Sequence, residues 1–251
     1  MVCGNCGHVA ELYCPHCGQK QHGEQPSVTG FVRELLQETF SLEGRVLTTL
    51  RSVLTRPGEL TLDFLEERRA RHVSPLKLFL IVFAIFFFVS EDVIDVSRQA
   101  NTLYGRLVEA HAAARGQTPA DYLTSLHPQV LAGTKAMRAG LLVSSSLLYW
   151  LLFRRRRPRF VDHVVLALQT GTFSLSVGIV VNAIAAWTGS LALNFLVGMP
   201  LSAGYAALAA RRVYGQGWGS TIWKVALIYL VSIVAGSMSL LAILGLVIAF
   251  N

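Results

Sequence analysis

Residues 222–250, IWKVALIYLVSIVAGSMSLLAILGLVIAF, decide the architecture. A single charge, Lys224, stands near the start, and the run after it exceeds the roughly 20 apolar residues with which a helix crosses a bilayer. The surrounding sequence has the same character. No acidic residue follows Asp162, so the C-terminal part of the chain lacks the carboxylates that a soluble domain would place on its surface. A helix bundle in lipid can instead turn Leu, Val, Ile and Phe outward. At 53% hydrophobic and only 15% charged, the whole chain lies outside the usual composition of soluble proteins.

By the same criterion four further spans are expected, over about 75–93, 136–153, 164–187 and 191–210, with Gly189 and Ser190 as the turn between the last two. The first is the weakest, because Leu78 to Val89 is short of a full crossing. It reaches span length only if Lys77 snorkels toward the interface and the helix continues to Val93. Trp150, Trp187, Trp218 and Trp223 fall near span ends, where interfacial aromatics concentrate. The fold class expected is therefore an all-α polytopic membrane helix bundle with five transmembrane helices. Residues 1–25, which hold all four cysteines of the chain, are expected to form a zinc ribbon, 26–74 cytoplasmic juxtamembrane helices, and 75–251 the bundle with an external helical loop over 94–135.

Two CxxCG knuckles open the chain, Cys3-Gly4-Asn5-Cys6-Gly7 and Cys14-Pro15-His16-Cys17-Gly18. Each directs two thiolates to one point, and the glycine after each can take the positive φ that lets backbone N–H groups approach sulfur. The metal ligands expected are Cys3, Cys6, Cys14 and Cys17, with Val9 to Tyr13 as a short strand between the knuckles and zinc as a structural ion. A rubredoxin-like iron centre, two redox disulfides and a metal-free segment are the competing readings; no βαβ pattern accompanies the CxxC pairs, as a redox role would require. His8, His16 and His22 are read as solvated turn residues. Thiolate coordination needs a reducing compartment, which places the ribbon in the cytoplasm.

The net charge of +7 is distributed beside apolar runs, in Arg68, Arg69 and Arg71 before one and in Arg154 to Arg157 after another. That pattern points to anionic lipid headgroups and away from nucleic acid, whose binding needs a basic face on a soluble module. With the N-terminus inside, seventeen Lys and Arg lie on the cytoplasmic side against five outside, a positive-inside bias agreeing with the cysteines. The C-terminus is then expected outside. The first 25 residues are polar, so no cleavable signal peptide is expected.

Between ribbon and membrane, Phe31, Leu35, Leu36 and Phe40, then Val46, Leu47, Leu50, Val53 and Leu54, read as amphipathic helices. Ser41 is a candidate N-cap, and Arg56-Pro57-Gly58 ends the second helix. These helices either dock on the membrane surface and a partner or pack on the cytoplasmic ends of the bundle. In the external loop, Thr118-Pro119 with Asp121 reads as a helix start. Glu91, Asp92 and Asp95 read as a solvated helix end, with a divalent cation as the sharper alternative.

Spans three to five contain no Asp or Glu past Asp162, which leaves proton-coupled transport without a carboxylate relay. His163 reads as a satisfied interfacial histidine, and Gln169, Asn182 and Asn194 as interhelical hydrogen-bonding groups. No HExxH, GxSxG, Walker A or EF-hand pattern is present, so no catalytic residue is assigned.

An ordered set of motifs resembles a family of uncharacterised bacterial inner-membrane proteins with an N-terminal zinc ribbon. It comprises the double CxxCG with Gln19, Arg51, Arg56-Pro57-Gly58, Arg68-Arg69-Ala70-Arg71 leading into Ser74-Pro75-Leu76, Phe160 and His163 with Ala167-Leu168, and Tyr214-Gly215 with Trp218. The chain departs from the family pattern at Glu67, where the resemblance implies a preference for glycine, and at His72, where it implies one for an aromatic. The resemblance implies a bacterial inner-membrane location and no established activity. The function expected is a membrane-anchored scaffold that recruits a cytoplasmic protein through residues 1–74; the alternative is a permease or lipid-handling protein for a neutral or amphiphilic solute.

Overall fold

The structure, a computed structural model, describes residues 2–11, 13–19, 44–90, 96–188 and 192–250. Helices dominate it: α1 Gly44–Thr55, α2 Glu59–Leu65, α3 Pro75–Ser90, α4 Val96–Ala114, α5 Pro119–Phe153, α6 Phe160–Thr188, α7 Met199–Tyr214 and α8 Trp218–Phe250. A π-helical segment, Asn194–Gly198, runs directly into α7. No strand occurs among the described residues. The strand expected over Val9 to Tyr13 is reduced to an isolated antiparallel bridge between Val2 and Val9, because two knuckles this close leave no length for a ladder.

Helix α6 is the hub. Val165, Leu166, Ala167 and Leu168, at consecutive positions, are all buried, so neighbours surround this part of the helix. It packs on α3, α5 and α7, and the small helices α1 and α2 close its lower end. Three helices are long and apolar enough by themselves to cross a membrane: α5, α6 and α8. The count of five is not reached on that measure. Helix α3 is apolar but has 16 residues, and the span expected over 191–210 is divided by the π-helical segment before α7.

The boundary expected at residue 135 lies inside a helix. Helix α5 runs unbroken through 35 residues, with Pro128 inside it, giving a length of about 52 Å at 1.5 Å per residue. Thr118 caps its start, accepting a hydrogen bond from the Asp121 backbone N–H at 3.2 Å, as the sequence led us to expect. The first turns of α5, helix α4 and the last turns of α8 share a small core of their own, including Val108, Tyr122, Leu126, Leu244 and Ile248.

The apolar face expected on α1 divides in two. Val53 is buried and Val46 and Leu50 pack against the main core, whereas Leu47 is 71% exposed and Leu54 41%. The spacing explains this: 46, 50 and 53 share one stripe, and 47 and 54 are two turns apart on another. The helix therefore packs on the end of the bundle and still presents two leucines outward.

Between α1 and α2, Gly58 takes φ +79°, and a Cβ there would stand 3.0 Å from the Ala209 carbonyl oxygen and 3.3 Å from its Cα. Both conformation and space require glycine. A Gly58→Ala substitution is expected to destabilise the detergent-solubilised protein by about 2 kcal/mol or more, since the left-handed backbone alone costs 1–2. Thermal unfolding checks this; an unchanged midpoint would mean that the Pro57-Gly58 turn does not seat on α7.

Candidate metal centre and the cap beneath it

The two knuckles have the same geometry. The Gly7 N–H donates to the Cys3 carbonyl and the Gly18 N–H to the Cys14 carbonyl, both at 2.9 Å, with glycine φ angles of 75° and 70°. These turns bring all four sulfurs within 4.8 Å of one another. Cys3 Sγ lies 3.6 Å from Cys17 Sγ, and Cys6 Sγ lies 3.4 Å from Cys14 Sγ. A tetrahedron with metal–sulfur bonds of 2.3 Å has edges of about 3.8 Å, whereas a disulfide would draw sulfurs to about 2 Å. The cage thus has the size of a four-thiolate metal site.

Electrostatics within the cage point the same way. Hydrogen bonding from the Cys17 backbone N–H, opposed by burial, holds the Cys14 thiol below its ordinary range. The His8 backbone favours the Cys6 thiolate, but burial and the surrounding thiols outweigh it and push Cys6 up to about 12. Four neighbouring thiols cannot all ionise without a cation between them. His8 and His16, expected as solvated turn residues, are exposed and stack at 4.0 Å between ring centroids; their nitrogens form with Cys6 a second, more open group. Expected residues His22, Phe31, Leu35, Leu36, Phe40, Ser41, Glu91, Asp92, Asp95, Gly189 and Ser190 lie outside the described residues.

One side chain fastens the ribbon to the helical body. Gln19 donates from Nε2 to the Glu67 carbonyl at 2.5 Å and accepts at Oε1 from the Arg69 N–H at 3.0 Å, as a strand partner would. Glu67 itself has φ 60°, the one positive value among the described non-glycine residues. The resemblance implies a preference for glycine here, and glycine is the residue that takes a left-handed backbone without steric cost. Gly4 closes the contact, since a Cβ there would lie 3.1 Å from Glu67 Cβ.

The turn that receives the ribbon is held by Asp63, which the sequence reading did not single out. Its buried carboxylate accepts from Arg68 Nη2 at 2.8 Å and Nε at 3.0 Å on one oxygen, and lies 3.0 Å from His72 Nε2 on the other. The Asp63 hydrogen bond holds the Arg68 guanidinium protonated even above its ordinary range. Arg68 also pairs with Glu66. His72, in the place of the family's aromatic, thus has a specific polar partner.

Beneath this turn a buried chain of hydrogen bonds joins the cap to the bundle. Gln169 Oε1 accepts from the Thr61 N–H at 3.0 Å and the Thr61 hydroxyl at 2.6 Å. Its Nε2 donates to Tyr205 Oη at 2.9 Å, and the Tyr205 hydroxyl donates to the Val53 carbonyl at 2.6 Å. The N-cap of α2 is Gly58, which has no side chain to cap it. Gln169, more than a hundred residues away, satisfies one of the orphan N–H groups of that helix instead. It was expected as an interhelical group; its partner is a helix end in the cap as well as α7.

His163 is fully buried and satisfied. Nε2 lies 2.9 Å from the Arg157 carbonyl, which can only accept, so Nε2 carries the proton and Nδ1 accepts from the Tyr214 hydroxyl at 2.7 Å. Phe153 stacks on Tyr214 at 4.1 Å. The arginine tract after α5 is thereby fixed to the end of α7. Asn194 and Asn182 pair across the π-helical segment at 2.9 Å, as interhelical amides should.

These elements meet around a cleft of about 800 Å³, whose walls include Glu67, Arg69, Arg156, Arg157, Arg159 and Arg212. The turn that holds the ribbon and the tract after α5 therefore lie at one end of the bundle. Fold and site together define an all-helical protein of membrane type with a four-cysteine, metal-sized centre attached to one end.

Comparison with known proteins adds one match. Residues 43–87 match the model of a family described as a protein of unknown function (DUF3667), covering α1, α2, the Asp63 turn and most of α3. No curated protein and no solved structure matches the chain.

Proposed function

We propose that this is a multi-pass protein of the bacterial inner membrane whose N-terminal zinc ribbon, fixed on a helical cap, forms a cytoplasmic docking platform for a protein partner. The observation that carries this reading is the fastening itself. Gln19 anchors the ribbon to the turn at Glu67 and Arg69, while Val2, Val9 and Tyr13 remain 68%, 78% and 57% exposed. A closed four-thiolate site leaves no open coordination position for chemistry, so the ion serves to shape that surface.

Five crossings are supported by continuity. Residues 192–214 are helical throughout, first α, then π, then α again, and α3 reaches further into the interface if Lys77 snorkels. The shared location of the ribbon turn and the arginine tract fits the N-terminus inside, with Arg154 to Arg159 on anionic headgroups.

Affinity capture with the intact protein, compared with a Val2→Ser, Val9→Ser, Tyr13→Ser variant, tests the reading. The variant is expected to keep its metal and lose the partner; identical capture lists from the two metal-loaded proteins would overturn it. Transport or handling of a neutral or amphiphilic solute is the second reading, favoured by a cavity of about 490 Å³ within the bundle, whose largely apolar wall carries Asn182, Asn194 and Ser202. Flux assays in proteoliposomes decide that one, and no transport across a broad solute panel would refute it.

A further inference from the structure

Arg138 falls at the start of the span expected over 136–153, and the sequence alone assigned it no role. Its position on α5, fifteen residues before Phe153, is about 22 Å along the helix from the end that carries the arginine tract. That distance carries it toward the end of the bundle opposite the tract, where it counts among the five basic residues on the outer side and its side chain is exposed.

No carboxylate among the described residues pairs with it; the guanidinium instead lies over the Phe86 ring, 4.5 Å from its centroid. Phe86 is itself seated on Gly178, where a Cβ would stand 2.8 Å from Phe86 Cε2. The small residue on α6 thus lets the ring, and with it the cation, approach. Lys135 adds a second positive charge over Phe87 at 5.6 Å.

Arg138 also stands where two cavities meet. One, of about 490 Å³, has Asn182, Asn194, Ser202 and Tyr229 in its wall. The other, of about 220 Å³, includes Phe79, Phe83, Leu141 and Leu142. Both share Arg138, Ser174 and Tyr229. The π-helical segment supplies Asn194 and Gly198 to the larger cavity, and such irregular turns recur where a helix has been reshaped for a site.

We propose that these joined cavities bind an anionic amphiphile, with its oxyanion headgroup, carboxylate or phosphate, on Arg138 and its acyl chain along the phenylalanines of α3. A planar guanidinium with no carboxylate partner among the described residues, amide and hydroxyl groups in the cavity wall it shares and apolar side chains beside it match that ligand in charge, hydrogen bonding and shape. This site is separate from the ribbon surface and stands or falls without it.

Native mass spectrometry and thermal unfolding of the full chain in a neutral detergent test the assignment, with oleate, phosphatidic acid, phosphatidylcholine and inorganic phosphate as probes. Saturable binding is expected for oleate and phosphatidic acid, with little for phosphatidylcholine. Arg138→Gln is expected to weaken both on the order of tenfold or more, as loss of a charge-assisted contact does. An Arg155→Gln, Arg156→Gln variant is expected to retain them, which separates this site from headgroups at the tract. Arg138→Lys, which keeps the charge and loses the fork, is expected to fall between and serves if the glutamine variant does not fold. Equal binding by wild type and either Arg138 variant, equal binding of phosphatidylcholine, or saturation by inorganic phosphate alone would each overturn the proposal.

Discussion

Serine at Cys14 and Cys17 is expected to abolish metal binding, from one zinc per chain to none by elemental analysis, and to leave residues 2–19 open to proteolysis. The size of the effect follows from how little else holds the ribbon. Its core is Cys3, Ala10 and Cys14, with Cys6 and Cys17 packed against them, so nearly all of the core is the four-cysteine cluster. A module of this size cannot bury enough apolar surface to fold alone. Structural zinc sites of this kind contribute apparent binding free energies of about 10–16 kcal/mol at neutral pH, and loss of the ion removes the fold with it. The bundle should be spared, because the main core and the ribbon core are separate. Parent protein purified without bound metal, or iron as its only ion, would refute the zinc assignment. Unchanged protease resistance in the serine variant would refute the dependence of the fold on the ion.

The second large effect is expected at Gln169. Replacement by leucine, similar in volume, removes the bonds to the Thr61 N–H, the Thr61 hydroxyl and Tyr205 Oη at once. Thr61 is fully buried and Tyr205 only 5% exposed, so water cannot take the place of the amide. With each buried unsatisfied group costing 1–3 kcal/mol, a loss of about 4 kcal/mol is expected. Thr61→Val should cost less, because the N–H to Gln169 survives, and the double variant should cost less than the sum. Thermal unfolding of the four proteins measures this coupling. Additive losses, or a Gln169→Leu protein within about 1 kcal/mol of the parent, would mean that the network does not join cap to bundle.

The membrane class and the convergence of the four cysteines were legible in the sequence because each rests on a local property. Hydrophobic content accumulates along a contiguous run, so residues 222–250 are recognisable without knowing their neighbours. Cysteine pairs at CxxC spacing converge through a single turn, so Cys3, Cys6, Cys14 and Cys17 could be named as one site, and the structure brings them together. The Thr118 cap was legible for the same reason, being settled within four residues.

What tertiary structure alone decided lies between residues far apart in the chain. Gln169 as the cap of α2, Gln19 as the bond between ribbon and body, and Arg138 at the junction of two cavities involve partners that no spacing rule connects. Asp63 was not singled out because an acidic residue on a short helix carries no pattern until its burial is known, and the left-handed backbone of Glu67 is visible only in the fold. The division of α1 into a buried and an exposed stripe likewise needed the bundle against which it packs. Sequence by itself determined which segments avoid water and which thiols converge, since both follow from side-chain chemistry over one turn or one run. The assembly of cap, ribbon and bundle was decided only by the folded chain, because hydrogen bonds and cavities depend on distances in space and not on separation along the backbone.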